Sequence, residues 1–445
     1  MDSPTHTRIN DSEKSEIGIS ACDDDSKKPE ELLQVLPCVP MEETLDDFPD
    51  GGFRAWLVLF GGFCIFFSTW GYVTSWGVFQ AYYQQSILRG SSPSEITSAW
   101  IGSLQHSIIF LPGLIVGRLF DVGLFRIPFA AGSVLIVLAT FLVPLCRTFT
   151  AFLLCQGLAT GLGCALVIPP TIAVVCHWWK RRRAFALGVM TCGSALSGTI
   201  IPIVVRRLLE VVGFAWTLRI IGFMLTFTLG VANMCVARRL PPIKPAGRIF
   251  NWSVFRNSAF FVYCAAQFVV SLGSYIVPTY ISSSAVSAGI SRTFAFYLVA
   301  IINGSTSAGR ILFGFLGDRF GAMNVMIIVG VFVSALTMIW PHCRSVASLT
   351  VLSVFFGFTN ASYSPLTQVP AAAMGSPSDL GFRIGILSTF LGLGTLCGPP
   401  LGGLLNDTRH GYAAVGYFGG GMLLVGTALM TVSRFLAIPK LWSKY

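Results

Sequence analysis

Charge is what this chain has least of. Only 11% of its 445 residues are Asp, Glu, Lys or Arg, where a water-soluble domain carries about 25%. That supply cannot coat a surface facing water on all sides, so a soluble globular fold is excluded and lipid is the expected solvent. Acids are scarcer still beyond residue 50: Glu95, Asp121, Glu210, Asp318, Asp379 and Asp407 are the six. Paired catalytic carboxylates or a Ser–His–Asp set have little to draw on, and five scattered histidines form no cluster. No G-x-x-x-x-G-K-S/T stretch exists to cradle a nucleotide. The twelve cysteines stand singly, mostly inside apolar runs, with no CxxC pair, so zinc and iron–sulfur spacings fail. Cys146 and Cys343 fall in equivalent outer loops and could in principle pair. No enzyme, cofactor or metal is expected.

What is there is apolar: 53% of the chain. A helix crossing a bilayer needs about 20 apolar residues. Uncharged runs and turn punctuation predict twelve spans, near 55–83, 97–117, 127–145, 150–176, 184–205, 214–236, 258–281, 294–316, 322–340, 347–373, 382–405 and 412–435. The expected fold is therefore all-α and membrane-embedded. Residues 1–50 hold 14 of the 20 acids against four bases, and are expected to form a disordered acidic tail. With that tail in the cytosol, inner loops and the carboxyl end hold sixteen Lys or Arg and outer loops eight. The bias puts both termini on the cytosolic side.

The stretch HWWKRRRAF (177–185) sets four consecutive positive charges behind two tryptophans. Nucleic acid is one reading of such a cluster, but no Lys, Arg, Asp or Glu occurs over 148–179 or 184–205. Wedged between two membrane runs, the cluster instead holds a helix end in the cytosol, with Trp178 and Trp179 expected at the lipid–water interface.

The chain also repeats itself. GRLFD (117–121) is answered by GFLGD (314–318) and PLCRTF (144–149) by PHCRSV (341–346), both at an offset of 197; IPPT (168–171) matches SPLT (364–367) at 196. Three matches in order at a near-constant offset argue for two homologous halves of six spans. The expected divisions are 51–237 and 258–445, joined by a basic cytosolic linker over 238–257. Duplicated halves are a transporter architecture, with the solute path at their interface.

At these residues the chain resembles the major facilitator superfamily. GFLGDRFG (314–321) matches that family's inner-loop signature in full, with Arg319 after Asp318; GRLFDVGLFR (117–126) is looser, because Val122 stands where the base belongs. The resemblance implies that Asp121 and Asp318 cap neighbouring helices and, with Arg319, latch the halves together. Within the superfamily the chain is similar to the monocarboxylate porter family, in its fungal branch. PDGGFRAW (49–56), with Asp50, Gly51, Gly52 and Trp56, matches one of its signatures. WWKRRRAFALGVMTCGSALSG (178–198), with Lys180, Arg181, Arg182 and Gly188, matches another. Gly188, Gly193 and Gly198 also let span five approach a neighbour closely, and Gly392, Gly394, Gly398 and Gly402 repeat the recipe in span eleven.

A charged group at membrane depth is functional by default, since Arg at mid-helix costs about 2.5–3.5 kcal/mol on insertion scales. Arg310 is the clearest case. The resemblance makes it an anchor for an anionic ligand group; snorkelling or pairing with a loop Asp is the alternative. The family's proton-relaying Asp aligns with Thr306 and its span-one Lys with Thr74. No carboxylate remains at mid-membrane, so that relay has no counterpart here and lactate is not the expected cargo. His106 is the mid-span group that titrates near neutrality. Asn303, Thr74, Trp76, Asn360 and Tyr363 complete the expected substrate site, with Trp70, Tyr72, Gln105, Gln267, Tyr275 and Gln368 on the same helices. So aromatic a set suits a larger organic acid, vitamin or secondary metabolite.

The expected function is secondary transport of a small organic solute by alternating access, with a non-transporting nutrient sensor as the alternative. The expected setting is the lipid bilayer of the plasma membrane, the vacuolar membrane being the alternative. The expected state is a monomer that binds no nucleic acid. Asn406 opens a glycosylation sequon in an outer loop.

Overall fold

The computed structural model describes residues 50–83, 95–240, 252–375 and 379–438. The acidic tail apart from Asp50, and most of the basic linker, lie outside them. In hydrocarbon no water satisfies a free N–H or C=O, so a single-chain span must bond its backbone internally, as a helix. In chain order the helical spans are α1 (Gly52–Phe79), α2 (Glu95–Phe110 and Gly113–Asp121), α3 (Arg126–Leu145), α4 (Phe149–Trp178), α5 (Arg183–Val211), α6 (Gly213–Cys235), α7 (Ser258–Ser287), α8 (Arg292–Phe320), α9 (Ala322–His342), α10 (Val346–Ala373), α11 (Leu380–Asn406) and α12 (Tyr412–Ala437). Among the described residues there is no strand. All but α2 are by themselves long and apolar enough to cross a membrane. The exception breaks at Leu111 and Pro112, where proline has no N–H to give and its ring crowds the carbonyl one turn back.

Other helices are interrupted at mid-depth. The first is broken at Thr69 and Ser75, α7 at Tyr275, and α10 between Asn360 and Tyr363 and again at Thr367. Hydroxyls take up carbonyls at the breaks in α1: Thr69 Oγ1 donates to Ile65 O at 2.7 Å and Ser75 Oγ to Gly71 O at 3.0 Å.

The apolar core falls into two clusters. One draws on α1–α6 with a few residues of α10 and α11; the other draws on α7–α12 with Ala184 of α5. Between them, α5 crosses α8 and α2 crosses α11 with little more than backbone in contact. A Cβ at Gly188 would stand 2.5 Å from the Arg310 carbonyl oxygen, and one at Gly314 would stand 2.8 Å from that of Ala184. Gly117 packs on the carbonyl of Gly381, and Gly385 on that of Gly113. Three other glycines picked out of the sequence are used alike: Gly193 lies against the Phe63 carbonyl, while Gly394 and Gly398 lie against those of Phe268 and Leu272 in α7; Gly198, Gly392 and Gly402 meet the side chains of Thr74, Phe110 and Ile276 instead.

Candidate functional site

A cavity of about 1020 Å³ lies among α1, α2, α4, α5, α7, α8, α10 and α11. All seven residues expected to contact substrate line it: Thr74, Trp76, His106, Asn303, Arg310, Asn360 and Tyr363. Trp70, Gln267, Tyr275, Thr306 and Gln368 join them. Two residues with them in the sequence reading do not. Tyr72 and Gln105 are each 1% exposed and turn into the helix packing, Tyr72 against the ring of Phe79. Helical phase explains the error: both sit on cavity helices, on the faces that pack inward.

Arg310 reaches from α8 across to α5, where Nη1 donates to the Thr191 carbonyl and to Ser194 Oγ. Its Nε is buried without a hydrogen-bond partner. The guanidinium is thus held by dipoles and not by a carboxylate, with donors left for a ligand. Nearby, Asn303 Nδ2 donates to the Gly198 carbonyl at 3.2 Å, a second bond from α8 to α5. His106 Nδ1 pairs with the Gly102 carbonyl at 2.9 Å. A carbonyl only accepts, so Nδ1 carries the proton and Nε2 is the acceptor of the neutral ring. Asn360 Oδ1 and Gln368 Oε1 are buried with no protein donor.

Sequence reasoning missed one wall. Ser271, Ser274, Thr279, Ser282, Ser283 and Ser287 of α7 carry hydroxyls down the cavity to Arg292 at the start of α8. The signal was the run SSS at 282–284, unusual in a span but overshadowed by the aromatics. Arg292, just before the predicted run 294–316, is the first residue of α8. It follows the same helix as Arg310, eighteen residues earlier, about 27 Å along the axis.

At the opposite end of α8 the two halves of the repeat are joined. Asp318 accepts from the N–H groups of Ala184 and Phe185 at 2.8 and 2.9 Å, capping α5. Asp121 accepts from those of Gly381 and Phe382 at 2.9 and 2.8 Å, capping α11. Acceptors and donors are related by the same offset of 197, so each repeat caps a helix of the other. Positive helix N-termini favour such carboxylates. Arg118 supplies the ion pair here, to Asp379 at 3.7 Å. Arg319 does not share in it: the side chain is exposed and lies over the Phe320 ring.

The two signatures meet in space. Asp50 Oδ1 accepts from the N–H groups of Lys180, Arg181 and Arg182 at 2.9, 2.8 and 3.1 Å. Asp50 is left-handed at φ 43°, and Gly52 has φ 82° with open space about it. Short polar residues and glycine tolerate that region best, which accounts for DGG before α1. Lys180, Arg181 and Arg182 remain exposed. Trp179 corrects the expectation of an interfacial ring: it is 1% exposed and edge-on to Trp56 at 5.4 Å. Trp178 is half-buried and donates Nε1–H to the Ala237 carbonyl at 2.9 Å. Cys146 and Cys343 are free thiols, and their Sγ atoms face their own helices. Asn406 is the last residue of α11 and half-buried.

The family model for the Major Facilitator Superfamily matches residues 58–342 and 263–444. The chain is 34% identical over 410 residues to the MFS transporter asaE of Aspergillus flavus, covering 91% of this chain and 92% of that one. It is 33% identical over 400 residues to the aspyridones efflux protein apdF of Emericella nidulans (89% and 81% covered). The fujikurins efflux protein of Gibberella fujikuroi is 34% identical over 400 residues (88% and 85%). Among solved structures, the human organic anion transporter MFSD10 (TETRAN) superposes with a TM-score of 0.67 at 16% identity, covering 84% of this chain and 98% of that one. FucP in its outward conformation gives 0.63 at 15%, covering 85% and 99%. Likeness at that identity concerns the fold.

Proposed function

Because this chain belongs to the major facilitator superfamily, a family of membrane transporters, we propose that it exports an anionic secondary metabolite. Arg310 is the anchor for the negative group. The observation that carries this reading is the Arg310 guanidinium facing a 1020 Å³ cavity, its Nη1 held by a carbonyl and a hydroxyl and with no acid partner among the described residues. A guanidinium fork matches a carboxylate or an enolate in bidentate fashion. Trp70, Trp76, Phe110 and Tyr275 in the wall suit an aromatic or polyene body. The named efflux relatives support the direction of transport. They are transporters, and the sensor alternative is set aside.

The cycle rocks the unit 51–237 against 258–445. The cavity lining reaches Arg292 at one end of α8 and stops at Arg310, ten residues before Phe320 at the latched end. With both termini cytosolic, this is an outward-facing state held by Asp121 and Asp318. Placement within the monocarboxylate porter family rests on the two signatures, which Asp50 joins; the plasma membrane is the setting that suits export.

The test is a metabolite profile of the producing cells with and without the protein. Loss should raise one anionic, apolar compound inside and lower it outside, and Arg310→Ala, at normal abundance, should mimic the loss. Full export by that variant removes the anchor.

A further inference from the structure

Among the described residues, no carboxylate lines the cavity. Asp121, Asp318 and Asp379 are engaged at the latched end. Glu210, at the far end of α5, is exposed and pairs with Arg207 at 3.4 Å. Asp407 is exposed after α11, and Glu95 opens α2. The cavity wall therefore carries two fixed cations, Arg310 in its depth and Arg292 at its mouth, and no Asp or Glu among the described residues. Arg206 of α5 adds a third positive charge at the mouth, 5.2 Å over the ring of Phe296, itself part of the wall.

This distribution bears on what drives transport. Coupling to a proton needs a titratable group in the cavity: for co-transport, one that is protonated while the cargo is bound and lends its negative charge to the anchor once the cargo has left; for exchange, one that is protonated only in the empty carrier. At Arg310 the partners are the Thr191 carbonyl and the Ser194 hydroxyl, and neither takes up a proton near neutral pH. His106 is the one imidazole in the described lining. Its ring has Gly102 as backbone partner on α2 and faces Trp70 of α1 at 6.1 Å; among the described residues no acid shares its cavity, and the charged groups that do are the cations Arg310 and Arg292. Protonating it adds a further cation and compensates nothing. With cargo bound, the Arg310–anion pair is neutral. Empty, the carrier returns with an uncompensated positive charge.

Resting on the anion reading above, we propose that transport is electrogenic: one negative charge leaves per monoanion exported, no proton is exchanged, and the inside-negative membrane potential is the driving force. The equilibrium gradient is then set by voltage alone. One charge through about 100 mV corresponds to about 2.3 kcal/mol, a gradient of about 50-fold.

The test uses the purified full chain in sealed vesicles with pyrenesulfonate, a fluorescent aromatic monoanion that stays ionised and so cannot carry a proton itself. Potassium gradients with valinomycin set the potential. Accumulation at equilibrium does not depend on which way the protein is inserted. At about 100 mV inside-positive, the internal excess should approach about 50-fold, and reversing the potential should expel the probe. A pH step at zero potential should concentrate nothing. Accumulation driven by the pH step, or a final distribution indifferent to voltage, overturns the electrogenic proposal and leaves the anion site standing. Absence of protein-dependent flux, or flux unchanged in a monodisperse Arg310→Ala, removes the anion reading and this proposal with it. Arg310→Lys keeps the charge and is expected to retain the voltage-set gradient at a lower rate.

Discussion

Asp318→Asn isolates the latch from the transport site. In the native protein both carboxylate oxygens accept from the first N–H groups of α5, at 2.8 and 2.9 Å, across the boundary between the repeats. An amide offers one acceptor and turns its NH₂ toward the second N–H, so one bond and the charge are lost together. A hydrogen bond to a charged group contributes about 1.5–3 kcal/mol, and a carboxylate at a helix N-terminus about 0.3–1 kcal/mol. Asp318 is only partly buried, and a net loss of about 2 kcal/mol is the value to expect. That lowers the ratio of latched to unlatched protein about 30-fold. Ser287 lines the cavity mouth and is exposed; in a Cys397→Ser background, Ser287→Cys labelled with a membrane-impermeant maleimide reports the latched population. Labelling should slow in Asp318→Asn and likewise in Asp121→Asn. The double variant should add the two effects, since the caps share no partner. An unchanged rate in either single variant, with the protein still monodisperse, would refute the idea that these caps hold the cavity open at the Arg292 end.

Three further outcomes are expected. Asp50→Ala leaves the Lys180, Arg181 and Arg182 N–H groups without their acceptor, a cap-like loss of about 0.5–2 kcal/mol, and should lower the unfolding temperature in detergent by a few degrees. Gly188→Val drives a side chain into the Arg310 carbonyl; vesicle uptake should be lost while yield and monodispersity remain, and normal uptake would show that α5 and α8 need not meet there. Arg292→Ala should raise the half-saturation concentration for pyrenesulfonate about 2–5-fold, as for an exposed charge, with the maximal rate kept; a collapse of the maximal rate would make it an anchor equal to Arg310.

Much of the molecule was readable because lipid permits so little. A span must be apolar and helical, so uncharged runs in the sequence became helices, and an offset of 197 between short matches set Asp121 and Asp318 at equivalent positions of the repeat. Arg310 stood out for the same reason: a charge in a run that should hold none. Side-chain direction was less readable. Tyr72 and Gln105 share their helices with cavity residues, and only packing against neighbours decides which face of a span looks into the cavity. The α7 hydroxyls were passed over because serine is also a common packing residue between membrane helices.

The sequence by itself determined the solvent, where the apolar helices run and the residues with chemistry to offer, because each follows from composition along one stretch of chain. Tertiary structure alone decided what those residues do to one another. Asp50 meets the backbone of 180–182 across some 130 positions, Trp179 turns from a supposed lipid anchor into core, and Arg310 finds its partners on α5. Such contacts depend on how two helices approach, and glycines at the crossings set that distance without encoding which partner will be there.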